Sequence, residues 1–316
     1  MVSVIIPNYN HSSYLGQRIE SVLNQTYQDF EIIILDDCST DDSLHVINQY
    51  RNHPKVAQVI VNEKNTGSPF LQWEKGITLA QGEYIWIAES DDYSHPTMLA
   101  SLVEMLGEYP NAAVAFCNSE IVDDNENITM ELDFDDINYP DTSIHKGEDF
   151  LSYKMKFYTR IYNASSAVFR RTCWERIPKV YTKYRSAGDY LFWVEIMRKG
   201  DVCWLHKKLN YYRSHPNNVT KQATSNGRNA EERYKQVCYF RENSYFSSVD
   251  MIQIVGQEVF SIRNLPITKR KELYLSWFKS FPLIPFYAIC YVVYKIIRKA
   301  LYKMNIIDRY PKVPLL

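Results

Sequence analysis

The first 120 residues alternate between short apolar runs rich in β-branched residues and longer segments with helical periodicity. The pattern predicts strands at residues 2–6, 30–35, 56–61, 84–88 and 112–116, with helices at 13–25, 40–51, 69–81 and 96–108 between them. Past residue 120 it is less regular, with strands predicted at 167–170, 202–205 and 209–213 and a helix at 189–199. Apolar strands separated by helices are typical of a parallel sheet covered on both faces. We therefore predict an α/β fold whose functional loops lie at the carboxyl ends of the strands.

The composition excludes two classes of protein. The chain has 316 residues, of which 46% are hydrophobic, and 36 Lys and Arg against 37 Asp and Glu give a net charge of −1. Intrinsic disorder requires few apolar residues and a large net charge, and this chain has neither. Nor is there an excess of cations for binding nucleic acid through bulk charge, so we predict no nucleic-acid partner.

The cysteines and the N-terminus predict a cytoplasmic protein. Six cysteines are spread along the chain with no Cys-x-x-Cys pair, which indicates reduced thiols rather than a disulfide framework or a zinc site. Met1 leads directly into the first predicted strand, without the basic region or the small-residue cleavage site of a secretory signal.

The C-terminal segment differs in charge from the rest of the chain. Residues 264–316 contain ten Lys or Arg and two acidic residues, a charge of 10 − 2 = +8, so the remainder carries −1 − 8 = −9. Within this segment, residues 283–294 are uncharged and cations follow. A spanning helix needs about 20 apolar residues, so we predict a helix that lies on a membrane surface through residues 281–304. The alternative is a terminal helix that packs on the core.

Acidic residues follow two predicted strands and begin a predicted helix. Asp36 and Asp37 come directly after residues 30–35, the segment Glu-Ser-Asp-Asp at 89–92 follows residues 84–88, and Asp189 begins the helix at 189–199. Carboxylates at strand ends in an open sheet converge on one crevice, where they can hold Mg²⁺ or Mn²⁺ together with substrate phosphates. The alternatives are acidic turns and helix N-caps, and for Asp189 alone an N-cap is the more common role.

These residues belong to longer motifs in a fixed order. The motifs are Val-Ser-Val-Ile-Ile-Pro-Asn-Tyr-Asn at 2–10, Ser-Val-Leu-Asn-Gln-Thr-Tyr at 21–27, the acidic segment at 31–41, Asn-Thr-Gly at 65–67, Ala-Gln-Gly-Glu-Tyr-Ile at 80–85 and Glu-Ser-Asp-Asp at 89–92. This series resembles family 2 glycosyltransferases, closely over residues 2–120 and more loosely to about residue 220. A Gly-x-Gly-x-x-Gly motif does not follow the first strand, which disfavours a nicotinamide-binding domain.

The resemblance implies a fold and a division into domains. The expected fold is of the GT-A type, a mixed, mostly parallel sheet flanked by helices, with a helical C-terminal extension. We expect a glycosyltransferase domain at residues 1–225, with a nucleotide-binding half at 1–120 and an acceptor half at 121–225. Residues 226–316 would form the helical extension.

The resemblance also implies how a nucleotide-sugar donor is bound. Pro7 and Tyr9 would line the base pocket, with the ring of Tyr9 stacked on the base. Asp37 would hydrogen-bond the base, with Asp36 beside it. The donor site would further include Asn10, Asn65 and Asp91.

The metal and the catalytic base are implied in the same way. Asp92 would be the direct ligand of Mg²⁺ or Mn²⁺, Asp91 would meet the ribose or the metal, and His215, in Tyr-Arg-Ser-His at 212–215, would lie near the metal or the diphosphate. Asp189 would be the base that deprotonates the acceptor hydroxyl. In the family this acid usually follows a Glu, whereas Gly188 stands there in this chain.

The expected activity is transfer of a sugar with inversion in bacterial surface-polysaccharide biosynthesis. The acceptor would be a glycan or a lipid-linked oligosaccharide, and the protein would sit peripherally at the inner face of the cell membrane. Two alternatives stay open. One is a sugar nucleotidyltransferase, which normally has a Gly-rich basic phosphate loop that Pro-Asn-Tyr-Asn at 7–10 lacks. The other is a non-catalytic carbohydrate-binding module with the same fold.

Overall fold

The computed structural model describes residues 1–131, 140–157, 159–215 and 223–303. The strands are β1 (Val2–Asn8), β2 (Phe30–Asp36), β3 (Val56–Val61), β4 (Tyr84–Ile87), β5 (Tyr93–Ser94), β6 (Ala112–Val122), β7 (Ile128–Glu131), β8 (Thr142–His145), β9 (Ala167–Arg170) and β10 (Asp201–Arg213). The α-helices are α1 (Ser12–Leu23), α2 (Ser43–Tyr50), α3 (Pro69–Leu79), α4 (Met98–Glu108), α5 (Gly147–Phe150), α6 (Arg171–Trp174), α7 (Gly188–Met197), α8 (Arg228–Glu242), α9 (Ser248–Ser261), α10 (Ile267–Ser280) and α11 (Ile284–Lys303). A π-helical turn covers Leu151–Met155, and 3₁₀ turns cover Ala164–Ser166, Lys179–Lys183 and Ile262–Asn264.

The chain divides into two compact units. The first contains Met1–Glu148 and Ile161–His215, and the second contains Asp149–Arg160 and the helices that follow residue 222. The first unit thus ends ten residues before the predicted boundary at 225, and residues 149–160, expected in the acceptor half, group with the second unit. Residues 216–222 and 304–316, which the predicted domains include, lie outside the described residues.

The first unit is built around one large sheet. Its strand order is β3-β2-β1-β4-β9-β6-β10-β5, with β7 beside β6 and β8 beside β10. Strands β1 to β4 pair in parallel, as do β6 and β10, whereas β5, β7, β8 and β9 pair antiparallel. The predicted mixed, mostly parallel sheet, with helices packed against it and helices following it, is confirmed.

Helices pack on both faces of this sheet. On one face Val4 and Ile6 of β1 join a buried cluster with Leu15 of α1. On the other face Ile5 meets α3, and a Cβ on Gly76 would lie only 2.4 Å from Cγ2 of Ile5. Glycine at this position therefore lets α3 approach the sheet closely. Because β1 is buried on both faces, its apolar residues form a continuous run rather than an alternating pattern.

Two strands are longer than the sequence predicts. β6 continues past residue 116 to Val122, and the two strands predicted at 202–205 and 209–213 are the single strand β10. In β6 the polar residues past 116 are buried and pair with β10: Oδ1 of Asn118 accepts from Nε1 of Trp204 at 2.8 Å, and Oγ of Ser119 accepts from Nδ2 of Asn210 at 2.9 Å. In β10 residues 206–208, which suggested a break, are half-buried or exposed. The register between β6 and β10 shifts between Leu205 and Asn210 but the pairing continues.

In the second unit α11 packs against α9 on one face. A Cβ on Gly256 would lie 2.6 Å from Cβ of Tyr291, and the hydroxyl of Tyr291 donates to Oε1 of Gln257 at 3.0 Å. Among the described helices, none is by itself long and apolar enough to cross a bilayer; α10 and α11 reach that length only together, and they are bent by 101°.

All six cysteines are free thiols, as predicted.

Candidate active site

The acidic residues predicted to form a site lie at one edge of the sheet in the first unit. Asp36 ends β2, Asn8 ends the neighbouring parallel strand β1, and Asp91 and Asp92 follow β4 on the other side of β1. The carboxyl ends of these three strands point to the same edge, which is where open α/β sheets bind their ligands.

Three side chains at this edge form a group that could hold a metal ion. One ring nitrogen each of His11 and His215 and a carboxylate oxygen of Asp91 lie within 4.8 Å of one another. Nε2 of His215 is 3.0 Å from Oδ2 of Asp91, which is about the separation of neighbouring ligands on an ion with bonds of about 2.1 Å. Two imidazoles and a carboxylate suit a divalent transition metal. The motifs pointed to Asp91 and His215; His11 stands outside every acidic pattern, so the sequence carried no signal for it.

Asp92, which we expected to be the direct metal ligand, is not part of this group. It is 2% exposed. Its Oδ2 accepts hydrogen bonds from Oγ of Ser165 at 2.6 Å and from Nδ2 of Asn163, and its Oδ1 accepts one from the backbone N–H of Arg213 at 3.0 Å. Both oxygens are therefore engaged by protein donors, and the carboxylate that faces the two histidines is that of Asp91.

The local electrostatics favour cation binding by this group. Burial lowers the pKa of the His11 imidazole, more than the charge of Asp91 raises it. Burial raises the pKa of Asp91, but the hydrogen bond to His215 and the charge of His11 outweigh it and lower that pKa overall. Neutral imidazole and ionised carboxylate are the forms that bind a cation. In contrast, burial and the charge of Asp91 raise the pKa of Asp92 to about 7.

Two buried arginines hold the loop that carries Asp91 and Asp92. Arg18 of α1 donates from Nε to the carbonyl oxygen of Glu89 at 2.9 Å, and its Nη2 lies 3.9 Å from Oδ2 of Asp92. Arg213 donates from Nε to the carbonyl oxygen of Asp91 at 3.1 Å. Our sequence analysis missed both. Arg18 did leave a signal, since it falls on the apolar face of α1, three residues after Leu15.

Asp36 and Asp37 mainly order the loops around the edge. Asp36 is fully buried and accepts hydrogen bonds from Nδ2 of Asn8 at 2.8 Å and from the backbone N–H of Ser39 at 2.9 Å. The carboxylate of Asp37 accepts from the side chains of Asn62 and Gln72 and from the backbone and hydroxyl of Thr66. The structure thus shows both carboxylates in use as acceptors for protein donors.

The other residues expected at the donor site lie close by. Pro7 is buried within β1, whereas Tyr9, which follows that strand, is 45% exposed. Oδ1 of Asn10 accepts from the backbone N–H of Thr40 at 2.7 Å, and Nδ2 of Asn65 donates to the carbonyl oxygen of Asp37 at 3.1 Å. The exposed ring of Tyr9 can stack on a base, while the two asparagines tie neighbouring loops together.

Asp189 lies in the first turn of α7 and is half-buried. The residue before it must be small. A Cβ on Gly188 would lie 2.7 Å from Cδ2 of Phe70 and 2.8 Å from the carbonyl oxygen of Tyr181. The Glu that usually precedes this acid in the family therefore has no room here, and a single carboxylate remains.

Comparison with known proteins places this geometry in a family. The model of "Glycosyl transferase family 2" matches residues 3–177. An uncharacterized glycosyltransferase of Haemophilus influenzae is 28% identical over 224 residues, which cover 70% of this chain and 67% of that protein. Glycosyltransferase GlyG of Streptococcus pneumoniae is 36% identical over 108 residues, 34% of this chain and 36% of that protein.

Solved structures show the same fold. The crystal structure of residues 1–349 of Staphylococcus aureus TarS in complex with UDP-GlcNAc superposes with a TM-score of 0.68 at 18% identity, covering 98% of this chain and 93% of that one. Full-length TarS, a poly(ribitol-phosphate) β-N-acetylglucosaminyltransferase, is 33% identical over 111 residues, 34% of this chain and 19% of that protein. This chain thus spans well under half the length of GlyG and TarS. With more than half of its residues matched by the family model, the protein belongs to glycosyl transferase family 2.

Proposed function

We propose that this protein transfers a sugar from a nucleotide-sugar donor to a hydroxyl group of a glycan or lipid-linked acceptor, with inversion, in polysaccharide biosynthesis. The observation that carries the proposal is the group of His11, Asp91 and His215 at the carboxyl edge of the sheet, together with the exposed Tyr9 two residues before His11. A divalent ion held there, Mn²⁺ or Mg²⁺, would neutralise the diphosphate of the donor. The TarS complex with UDP-GlcNAc and relatives that act on poly(ribitol phosphate) support the donor class and the polymer acceptor.

Asp189 is the proposed base. Asp189 is half-buried and lies in the first turn of α7, and a carboxylate there can serve as a base for an acceptor hydroxyl within hydrogen-bond reach. The acceptor oxygen attacks the anomeric carbon from the face opposite the diphosphate, and its proton passes to the carboxylate of Asp189. The bond to the diphosphate oxygen breaks in the same displacement, which inverts the anomeric configuration.

The test is turnover by paired variants. The full chain is incubated with a panel of nucleotide sugars, a glycan acceptor and a divalent metal, and release of nucleoside diphosphate is followed with the linkage of the product. Asp189→Asn should lower kcat by about 100-fold or more while the Kd of the donor changes little. The matched control is Asp42→Asn at the exposed start of α2, where the carboxylate makes no capping hydrogen bond. Turnover that survives Asp189→Asn would refute the assigned base. In a parallel incubation, formation of a nucleotide sugar and pyrophosphate from a nucleoside triphosphate and a sugar 1-phosphate would indicate a nucleotidyltransferase instead.

We include in this proposal a peripheral position at the inner face of the cell membrane. One face of α11 packs on α9, and the opposite face exposes apolar residues at helical spacing: Phe286, Ile289, Val293, Ile296 and Ile297 are 46–63% exposed. Leu275, Phe278 and Leu283 are also more than half exposed. The helices α10 and α11 carry eight Lys or Arg and one Glu, a charge of 8 − 1 = +7. An exposed apolar face bordered by cations fits the surface of an anionic bilayer.

Vesicle sedimentation tests this position. Phosphatidylcholine vesicles containing about a third phosphatidylglycerol should bind the full chain, and salt should weaken that binding. The double variant with Ile289→Asp and Ile296→Asp should not bind the vesicles. The control variant Val249→Asp, which changes an apolar residue on α9 that is 64% exposed, should bind as the wild-type protein does. Equal binding by the wild-type protein, the double variant and the control would exclude this face of α11 as the membrane-binding surface.

A further inference from the structure

His11 has contacts that the shared motifs do not account for. It lies in the loop between β1 and α1, and its Nδ1 is 2.8 Å from Oγ of Ser90, in the loop that carries Asp91. Its ring centroid is 5.5 Å from that of His215, and the two rings are nearly perpendicular. The side chain is half-buried against residues that follow β4 and β10, far along the chain.

A structural role in starting α1 does not explain the ring. His11 occupies the N-cap position, but its side chain makes no capping hydrogen bond. The first backbone N–H of the helix, on Ser12, is instead taken by Oδ2 of Asp41 at 2.9 Å. The imidazole of His11 is therefore directed to Ser90, Asp91 and His215 rather than to its own helix.

We infer that His11 is a third protein ligand of the divalent ion, so that the site consists of two imidazoles and one carboxylate and prefers Mn²⁺ and later transition metals to Mg²⁺. The inference rests on the proposed function, since the ion is the one that would meet the donor diphosphate. Imidazole nitrogen binds transition metals well, whereas Mg²⁺ prefers oxygen ligands in strict octahedral geometry. The hydroxyl of Ser90 orients the ring through Nδ1, as partners of metal-binding histidines do.

Three protein ligands would also leave room for substrate. An ion held by His11, Asp91 and His215 would still be able to bind the oxygens of the donor diphosphate and so neutralise their charge. Asp92 is not needed as a ligand, because its oxygens accept from Ser165, Asn163 and Arg213. The two neighbouring carboxylates are thus divided between binding the ion and holding the loop.

Electron paramagnetic resonance of Mn²⁺ tests the inference without turnover. Mn²⁺ is titrated into the full chain, with and without UDP, and the ¹⁴N couplings of bound Mn²⁺ are measured by electron spin echo modulation. The wild-type protein should show coupling to two imidazoles. His11→Gln, and likewise His11→Ala, should show coupling to one, with the Kd for Mn²⁺ raised at least about tenfold and the Kd for Mg²⁺, from competition, raised less than about threefold. His45→Ala, at an exposed position on α2, is the matched control and should behave as wild type.

Any one of three results would overturn the inference. The first is two imidazole couplings with an unchanged Kd for Mn²⁺ in both His11 variants, and the second is a wild-type protein that binds Mg²⁺ as tightly as Mn²⁺. The third is absence of bound Mn²⁺ in the wild type under both conditions. The proposed function is tested by a different measurement, sugar transfer by the wild-type protein and by Asp189→Asn. Its failure can therefore be distinguished from failure of this inference.

Discussion

Gly188→Ala tests whether the close packing at the start of α7 sets the position of Asp189. The new Cβ would lie 2.7 Å from Cδ2 and Cε2 of Phe70 and 2.8 Å from the carbonyl oxygen of Tyr181. Carbon atoms in contact are normally about 3.5–4.0 Å apart, so either the helix or its neighbours must move. The ring of Phe70 is 2% exposed and the oxygen of Tyr181 belongs to the backbone, which leaves the first turn of α7 as the part that shifts.

The expected change in the stability of Gly188→Ala is the difference between two opposing contributions. Overpacking costs about 1–3 kcal/mol, and replacing a helical glycine with alanine returns at most about 1 kcal/mol. We expect a net loss of about 1–2 kcal/mol, or a melting temperature lower by about 2–8 °C. Displacement of the base by about 1 Å should lower kcat about 100-fold. Thermal melting and donor turnover measure the two consequences separately.

Gly107→Ala is the control for this substitution. Gly107 lies near the end of α4, and nothing lies within 4 Å of a Cβ placed there. The same change of residue should therefore leave kcat unchanged and should not lower the melting temperature. A Gly188→Ala protein that melts at or above the wild-type temperature with full kcat would refute the packing argument.

Further predictions concern the carboxylates and the metal. Asp92→Asn should keep Mn²⁺ binding but lower the free energy of unfolding in urea by about 2 kcal/mol, since an amide cannot accept from the donors that now bind both carboxylate oxygens, whereas Asp91→Asn should lose Mn²⁺ binding; the opposite pattern would contradict their assignment. Asp41→Ala should cost about 1 kcal/mol at pH 7 because Asp41 accepts from the backbone of Ser12 and Ser43. Burial raises the pKa of Asp41, but those hydrogen bonds outweigh it and lower the pKa below 3.8 overall. The stability that Asp41 contributes is therefore complete above that pH and is lost as the pH falls through the folded-state pKa. A stability difference between wild type and Asp41→Ala that stays constant down to pH 2 in denaturation curves would disprove this. EDTA should abolish sugar transfer, and Mn²⁺ should restore it at lower concentration than Mg²⁺; transfer unaffected by EDTA would exclude a role for the ion.

The sequence predicts the sheet well because its strands are apolar on both faces. Each of β1 to β4 lies within about two residues of its predicted bounds, and β3 and β9 match theirs. Prediction failed where polar residues interrupt the apolar pattern, as at the buried Asn118 of β6, which accepts a hydrogen bond from Trp204, and at residues 206–208 of β10. Periodicity reports burial of apolar groups and carries no information about a hydrogen bond made across strands.

The site was predicted less completely than the fold. Motif order pointed to Asp91, and the structure places that residue beside His215 and at the carboxyl edge of the sheet. Asp91 and Asp92 are adjacent and cannot be told apart in the sequence. The structure distinguishes them, because the carboxylate of Asp92 accepts hydrogen bonds from Ser165 and from the backbone of Arg213. His11 shows the same difficulty, because its neighbours in space come from residues about 80 and 200 positions away.

β10 is the last of the strands in the described residues, yet it is an inner strand of the sheet, between β6 and β5. Arg213, at its end, supplies the backbone N–H that binds Asp92, 121 residues earlier. Closing so long a loop costs entropy before any contact is gained, so this pairing is expected to form late in folding. During synthesis the loop with Asp91 and Asp92 stays without its support until residue 213 has left the ribosome. A nascent chain that stalls before β10 exposes the unpaired edge of β6, which makes this the stage at which aggregation or chaperone binding is most expected.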